Sequence, residues 1–224
     1  MKTLHKLLAL AAVTTAAVSS HAGTYANITI DGIADDWSGI AAAYTDASGD
    51  GSPGDIDQIF LANNDTHLFI RVTFHALVNP QLLGGFYIGI DNDSNPATGY
   101  DVYSLGVLGS EAGWQNDYPF EQATGSFNTG APTDAAILIS PYYTETTSQE
   151  FSISRTALID TDNGQLVFPN NSFNLGVYFN GGTVDDFAGP VAYTFAAVPE
   201  PATWAFIGGI GALAICLIRR HRRR

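Results

Sequence analysis

Alternating side chains at residues 67–75 are the feature that most constrains how this chain can fold. The even-numbered residues from Leu68 to Phe74 are all apolar, whereas Arg71 and Thr73 fall on the opposite face. A period of two is typical of a β-strand that buries one face and exposes the other. We therefore expect this run to be a strand on the surface of a hydrophobic core.

Other candidate strands are short and flanked by turn-forming residues. Residues 57–62 precede the first run, and the polar residues 63–66 between them predict a β-hairpin. The remaining candidates are residues 26–30, 85–91, 102–108, 135–140, 150–154 and 173–180, with one helical turn at residues 156–159. Many short strands separated by turns predict an all-β fold, an antiparallel β-sandwich of the jelly-roll type.

The N-terminus has the features of a secretory signal peptide. Lys2 and Lys6 precede an apolar run of about 12 residues, which is short compared with the roughly 20 of a membrane-spanning helix. Small residues follow and end at Ala22. We predict a signal helix within residues 1–22, recognised by the Sec export machinery and cleaved after Ala22; an N-terminal membrane anchor is the alternative.

The C-terminus has the features of a membrane-spanning segment with a cytoplasmic end. Residues 202–218 are uncharged and mostly apolar, and five arginines follow within residues 219–224. Clustered arginine holds its flank of a membrane helix in the cytoplasm. We predict a transmembrane helix at 202–218, a linker at 196–201 and an exported domain at 23–195.

The order of motifs in the tail resembles the PEP-CTERM sorting signal of Gram-negative bacteria. Pro199, Glu200 and Pro201 precede the apolar helix and the basic end. The resemblance implies that an exosortase in the inner membrane recognises the tail and cuts near the motif. It further implies a final place at the cell surface or in an exopolysaccharide matrix. The alternative is a plain single-span anchor with a proline-rich linker.

Charge is very unevenly distributed along the chain. Without the two ends, Arg71 and Arg155 are the only Lys or Arg residues, against 21 acidic ones, which gives a net charge near −19. Such a domain disfavours nucleic acid and anionic lipid as partners and favours cations or neutral ligands, although solubility alone also explains acidity. Cys216, the only cysteine, lies in the apolar tail, so the exported domain has no disulfide.

An acidic loop follows the candidate strand at residues 85–91. Asp91, Asp93 and Asn95 alternate along it, and Asp101 can close the site. Carboxylate and amide oxygens are the ligands that Ca²⁺ prefers, so this spacing predicts a calcium site. The alternative is a turn in which these side chains bond the local backbone. Residues 48–55 form another acidic loop that could hold a second ion or help to bind the first, with a flexible turn as the alternative.

A second resemblance covers residues 28–195. Residues 30–37 read Ile-Asp-Gly-Ile-Ala-Asp-Asp-Trp, which is similar to the start of exported β-sandwiches related to family-nine carbohydrate-binding modules and DOMON-like domains. Residues 55–57, 64–70, 89–93 and 150–154 add shorter similarities in the same order. The resemblance implies a β-sandwich and raises polysaccharide as a ligand.

Aromatic residues supply candidate sugar contacts. Exposed tryptophan and tyrosine rings stack on sugar faces. Trp114 and Tyr118 lie among polar residues and are the candidates for an exposed platform, with ordinary packing as the alternative. Trp37 belongs to the opening motif, which predicts a place in the core.

Catalytic motifs are scarce. The sequence contains no Gly-x-Ser-x-Gly motif, and the exported domain offers only His67 and His75 for triad chemistry. We therefore predict a non-enzymatic protein that binds polysaccharide. The alternatives are a purely structural matrix component and, with paired carboxylates among Glu111, Glu121, Glu145 and Glu150, a secreted glycan-active enzyme.

Overall fold

A computed structural model describes residues 20–83, 85–128, 134–180 and 185–198. The signal segment before residue 20 lies outside this part. The tail from Pro199 onward, with the sorting motif, the predicted transmembrane helix and the arginines, lies outside it as well. Within the described ranges, no helix is long and apolar enough to cross a membrane.

Two β-sheets packed face to face form the fold. In chain order the strands are β1 (Ser20–Ala22), β2 (Tyr44–Thr45), β3 (Ile56–Asn63), β4 (His67–Val78), β5 (Phe86–Asp91), β6 (Tyr100–Asp101), β7 (Gly109–Ser110), β8 (Ala112–Gln115), β9 (Tyr118–Glu121), β10 (Ile137–Ser140), β11 (Thr146–Ser154), β12 (Leu158–Asp160), β13 (Gln165–Leu166), β14 (Ser172–Phe179) and β15 (Asp186–Thr194). Short 3-10 helices span Ala34–Trp37, Pro80–Leu82 and Val102–Ser104.

The strand order confirms the all-β antiparallel sandwich. One sheet has six strands in the order β1-β15-β14-β5-β8-β9, and the other has five in the order β10-β11-β4-β3-β2. Adjacent strands are antiparallel, except that β1 pairs parallel with β15. Cleavage after Ala22, as predicted, would remove β1.

The core lies between the two sheets, as the alternation in β4 predicts. Leu68, Ile70 and Val72 are fully buried. Phe86 of the six-stranded sheet stacks on Phe151 of the five-stranded sheet, with ring centroids 5.4 Å apart. Because each buried side chain of this size contributes about 1.5–3 kcal/mol, this layer dominates the stability of the fold.

Two strand predictions and one helical prediction are wrong. Residues 26–30 form no strand, because the pairing with β3 ends at Ala26 and Ile28 then packs on the outer face of the five-stranded sheet. Residues 102–108 begin with a 3-10 helix whose Val102 is buried. Residues 156–159 lead into β12 instead of forming a helical turn.

The opening segment, residues 25–40, is held on the outer face of the five-stranded sheet by Glu150. This side chain on β11 is 1% exposed. Its Oε1 accepts a hydrogen bond of 2.7 Å from Trp37 Nε1, and its Oε2 accepts one of 2.8 Å from the backbone N–H of Gly32. Gly32 has φ +85°, a conformation that favours glycine. Trp37 is 3% exposed, which confirms its predicted burial.

Asn63 at the end of β3 joins both ends of the described domain. Its backbone bonds Thr24 and Ala26, each at 2.9 Å. Its fully buried side chain accepts from the N–H of Ala196 at 2.8 Å and donates to the carbonyl of Ala196 at 3.1 Å. The chain is therefore fixed at Ala196, three residues before Pro199.

Replacing Glu150 with alanine should lower the free energy of unfolding by about 2–5 kcal/mol, because the buried indole N–H of Trp37 and the partly buried backbone N–H of Gly32 lose their acceptor. Urea denaturation measures the change. Ser152→Ala, on the same strand and face, is the control and should change stability by less than about 1 kcal/mol. A Glu150→Ala effect no larger than that of Ser152→Ala would contradict the proposed anchoring.

Candidate functional site

A row of glycines crosses the outer face of the six-stranded sheet. Gly176, Gly89 and Gly113 lie side by side on β14, β5 and β8. A Cβ atom at Gly176 would lie 2.7 Å from Leu108 Cδ2, and one at Gly113 would lie 2.5 Å from Gln122 Oε1. The glycines therefore leave room for two segments, residues 92–111 and 122–128, which we call the cover.

Tyrosines pack beneath the cover beside this glycine row. Tyr87 and Tyr178 stack with ring centroids 5.0 Å apart and an interplanar angle of 7°. The Tyr103 hydroxyl of the cover donates to the carbonyl of Phe179. Val102 of the cover is fully buried against this group. The outer face of this sheet is thus closed by packing, which buries Val102 and Leu108 without a strand at residues 102–108.

Three carboxylates meet where the cover leaves β5. Oxygen atoms of Asp91, Asp93 and Glu111 lie within 4.8 Å of one another. Asp91 is fully buried and Glu111 is 5% exposed, whereas Asp93 is exposed. We call these three residues the acidic cluster.

The hydrogen bonds of the acidic cluster are incomplete. Glu111 Oε2 accepts from the backbone N–H of Asn92 at 2.9 Å, and Asp91 Oδ2 accepts from Asn174 Nδ2 at 3.0 Å. Glu111 Oε1 is buried without a hydrogen-bond partner. A buried carboxylate oxygen with no donor is unfavourable, and a bound cation would satisfy it.

The raised pKa values of the buried carboxylates also favour a bound cation at the acidic cluster. Burial, together with the charges of Asp93 and Asp91, raises the pKa of Glu111 to about 7. Burial also raises the pKa of Asp91. Without a cation the cluster therefore tends to hold a proton, and a divalent cation would compete with that proton.

The structure brings together only some of the predicted calcium ligands. Asp91 and Asp93 belong to the cluster, but Asn95 Oδ1 accepts from the N–H of Ala97 at 3.2 Å, in the local turn that was the alternative. Asp101 lies outside the cluster and accepts from the N–H of Gly106 at 2.8 Å.

Glu111 takes the position expected for Asp101. Its place could not be read from loop spacing, because pairing of Ile90 with Ala112 brings the start of β8 beside the end of β5. The available signal was a lone glutamate directly before a short apolar stretch at residues 112–114.

A second acidic group lies at the predicted loop of residues 48–55. Oxygen atoms of Asp46, Asp50 and Asp186 lie within 4.8 Å of one another. Asp186 Oδ2 accepts from the N–H of Ile56 at 2.6 Å. Burial and the charges of Asp46, Asp50 and Asp55 raise the pKa of Asp186 to about 6. The described side chains could hold a metal ion here as well.

Trp114 does not belong to an exposed platform. It is 1% exposed, and its Nε1 donates to the carbonyl of Ala135 at 2.8 Å. The expected exposure is wrong because Trp114 pairs with Ile88 of β5, whose side chain also points into the core. Tyr118, in contrast, is 49% exposed on the edge strand β9.

Two further tyrosines are exposed in the loop between β10 and β11. Tyr142 and Tyr143 are 38% and 55% exposed, and their rings meet edge to face with centroids 4.7 Å apart. Tyr143 has φ +52°, a left-handed conformation that is unusual for tyrosine. We call residues 141–144 the tyrosine loop.

Two buried glutamines fix the tyrosine loop. Gln81 and Gln149 bond each other at 3.0 and 3.2 Å, and both are almost fully buried. Gln149 Nε2 donates to the carbonyl of Pro141 at 2.6 Å, and Gln81 Oε1 accepts from the N–H of Tyr143 at 3.2 Å. Exposed aromatic side chains on a rigidly held loop are typical of a binding surface.

A groove of about 150 Å³ adjoins the tyrosine loop. It is lined by Asp117, Tyr142 and the residues 137–139 of β10. Burial and the nearby Asp117 carboxylate raise the pKa of Tyr142, so its hydroxyl stays protonated. Asp117 directly precedes Tyr118, which places a hydrogen-bond acceptor among the exposed rings.

Two of the four carboxylates considered for catalysis have other partners. Glu150 is bonded to Trp37 and Gly32 beneath the opening segment. Glu111 belongs to the acidic cluster. Neither therefore faces an open cleft in which a glycosidic bond could be cleaved.

The solved structures that are similar to this chain include two of family 9 carbohydrate-binding modules from Caldicellulosiruptor kristjanssonii. The module in complex with cellotriose is 11% identical, with a TM-score of 0.46, over 80% of this chain and 94% of the module. The module in complex with glucose is 12% identical, with a TM-score of 0.48, over 81% of this chain and 98% of the module. Neither protein-family models nor curated protein sequences give a match.

Proposed function

We propose that this is a non-enzymatic protein of the cell surface or extracellular matrix that binds a neutral polysaccharide through its tyrosine loop. The observation that carries the proposal is the pair of exposed rings, Tyr142 and Tyr143, on a loop fixed by two buried glutamines. Rings held in place lose little entropy on binding, and their faces stack on sugars. The Asp117 carboxylate can accept hydrogen bonds from sugar hydroxyls.

Charge favours a neutral glycan over an anionic one. Both arginines of the described residues are engaged elsewhere. Arg71 Nε donates to Ser148 Oγ at 2.8 Å, and the Arg155 guanidinium lies 4.1 Å from the centroid of the Phe195 ring. A uronic-acid polymer would meet Asp117 without a basic partner to offset the repulsion.

Replacing either loop tyrosine with alanine should weaken glycan binding by up to about tenfold, because a stacked ring contributes about 0.5–1.5 kcal/mol. A glycan array on the full chain, with calcium and again with chelator, identifies the ligand, and calorimetry gives the affinities. Leu105→Ala, which removes an exposed side chain of the cover, is the matched control and should leave affinity unchanged.

Absence of glycan binding in both conditions would refute the sugar-binding proposal. The purely structural matrix component would then be the better description. Hydrolysis of a bound glycan would instead favour the secreted glycan-active enzyme.

Calcium is the cation that best suits the acidic cluster. Asp91, Asp93 and Glu111 offer only oxygen atoms, and an exported protein meets Ca²⁺ at useful concentration. Bound there, the ion would join the end of β5, the cover and the start of β8. It would therefore stabilise the cover over the glycine row instead of taking part in chemistry.

Calcium should raise the melting temperature of the full chain, and chelation should lower it. A ligand present at 100 times its dissociation constant stabilises a fold by about 2.7 kcal/mol. Asp93→Ala and Glu111→Gln should abolish the calcium effect, whereas Asp101→Asn should retain it. Differential scanning calorimetry measures all four proteins. An unchanged melting curve, or a loss confined to Asp101→Asn, would argue against the cluster.

Export and sorting complete the proposed function. The predicted signal peptide directs the chain to the Sec machinery, and the tail holds it in the inner membrane until an exosortase acts. Asn63 fixes the chain at Ala196, which precedes the motif by three residues in the sequence. Proline at both ends keeps such a motif extended and accessible to a protease.

Replacing Pro199, Glu200 and Pro201 together with alanine should block processing in the native host. The arginine-rich end would then stay attached, and intact-mass spectrometry of the membrane fraction would show it. Thr203→Ala, just outside the motif, is the control and should be processed normally. Normal processing of the triple variant would refute the sorting role of the motif.

A further inference from the structure

Three consecutive hydrogen bonds connect Ala196, near the end of the described chain, with Arg155. The carbonyl of Ala196 accepts from Asn63 Nδ2 at 3.1 Å, and the same Nδ2 donates to the carbonyl of Asn64 at 3.2 Å. That carbonyl of Asn64 also accepts from Arg155 Nη1 at 3.1 Å. Arg155 Nη1 therefore lies no farther from the Ala196 oxygen than the combined length of these three bonds.

The Arg155 guanidinium keeps one edge available for an acidic partner. Its central carbon lies 4.1 Å from the centroid of the Phe195 ring, and Nη1 is bonded to Asn64. Among the described residues, none hydrogen-bonds to Nε or Nη2, and no carboxylate lies within 4.0 Å of the guanidinium. Two parallel N–H groups of this kind are the arrangement with which arginine binds both oxygens of a carboxylate.

Glu200 is the carboxylate that the chain brings within reach of this edge. It is the only acidic residue after Ala196 and follows it by four residues. Since an extended residue spans about 3.3–3.6 Å, four residues reach about 13 Å, which exceeds the length of three hydrogen bonds. The side chains of Glu200 and Arg155 extend this reach further.

Charge favours Arg155 over the rest of the surface as the neighbour of Glu200. The exported part of the chain carries a net charge near −19, with Arg71 as its only other arginine or lysine. Arg71 lies in the middle of β4, where its Nε donates to Ser148 Oγ. Most of the surface therefore repels Glu200, and Arg155 attracts it beside the point where the chain is fixed.

An apolar lining lies beside the same turn. Asn64, Ile28 and Phe69 belong to the wall of a groove of about 290 Å³ on the outer face of the five-stranded sheet. No carboxylate lines this groove among the described residues. It therefore offers an uncharged contact to the prolines on either side of Glu200.

We propose that the Glu200 carboxylate pairs with Nε and Nη2 of Arg155 and so holds segment 199–201 against the folded domain. Pro199 and Pro201 restrict the backbone on both sides of Glu200, which lowers the entropy lost on pairing. Arg155 is partly exposed, so the pair is weak and sensitive to salt. It requires neither sugar binding nor cleavage by an exosortase.

Nuclear magnetic resonance of the full chain in mild detergent, labelled with ¹⁵N-arginine, tests the pairing. Each arginine gives one Nε–Hε signal, and Arg155→Lys identifies the Arg155 signal by its loss. Glu200→Gln should shift this signal and speed its hydrogen exchange with water several-fold, because the carboxylate acceptor is removed. Glu145→Gln, which neutralises an exposed carboxylate just before the other end of β11, is the matched control and should leave the signal unchanged.

An Arg155 signal that is the same with and without Glu200→Gln would overturn the proposal. An equal change in Glu145→Gln would also overturn it, because the effect would then reflect the net charge of the domain. Both variants lie outside the hydrophobic core, and neither readout depends on processing in the host. Failure of the sorting role therefore leaves this result unaffected.

A salt titration distinguishes a charge pair from a local effect of the substitution. At about 1 M salt the screening length falls to about 3 Å. The Arg155 signal of the unaltered chain should then move toward its position in Glu200→Gln, whereas the signal of that variant should stay nearly constant. Equal salt shifts in the two proteins would overturn the proposed pair.

Discussion

Scarcity of positive charge is the constraint on which the rest of this structure depends. Outside the two ends, Arg71 and Arg155 stand against 21 acidic residues. His75 Nδ1 lies 3.9 Å from Asp57 Oδ1, and the two are oppositely charged only when the imidazole is protonated. Buried carboxylates must therefore be satisfied by N–H donors, by protons or by an added cation. Glu150 shows the first solution, with two N–H donors from the opening segment.

The acidic cluster shows where N–H donors are insufficient. Glu111 keeps one buried oxygen without a partner, at the point where the cover meets the sheet. The cover itself rests on glycines, because only their missing side chains let Leu108 and Gln122 approach the strands. A cation at the cluster would thus stabilise a layer that closes one sheet face. The tyrosine loop between β10 and β11 is then the exposed aromatic surface best suited to a ligand.

Strong local alternation made much of the fold predictable. β3, β4, β5 and β14 follow the predicted runs within a few residues, because each buries an unbroken apolar face. Residues 26–30 have similar apolar spacing, but Ile28 packs on a sheet without pairing. β15 was missed because Gly189 and Pro190 interrupt its pattern. The local sequence pattern cannot distinguish a strand that pairs within a sheet from a segment that packs on the face of a sheet, since both bury every second side chain.

The candidate sites depend on contacts that are distant in sequence. Trp114 is buried because of its register with β5, which composition around the residue does not reveal. Gln81 and Gln149 are far apart in sequence, yet together they fix the tyrosine loop. Tyr142 and Tyr143 were visible as aromatic residues, but only the fold shows that they are held and exposed.

The most direct test of the central claim is a nuclear magnetic resonance titration of the isotopically labelled full chain with the neutral oligosaccharide that binds best. Amide chemical shifts locate the bound sugar residue by residue. The account predicts the largest changes in residues 141–144 and 116–118. Changes centred on the groove beside Ile28 and Phe69, or no changes at saturating sugar, would contradict it.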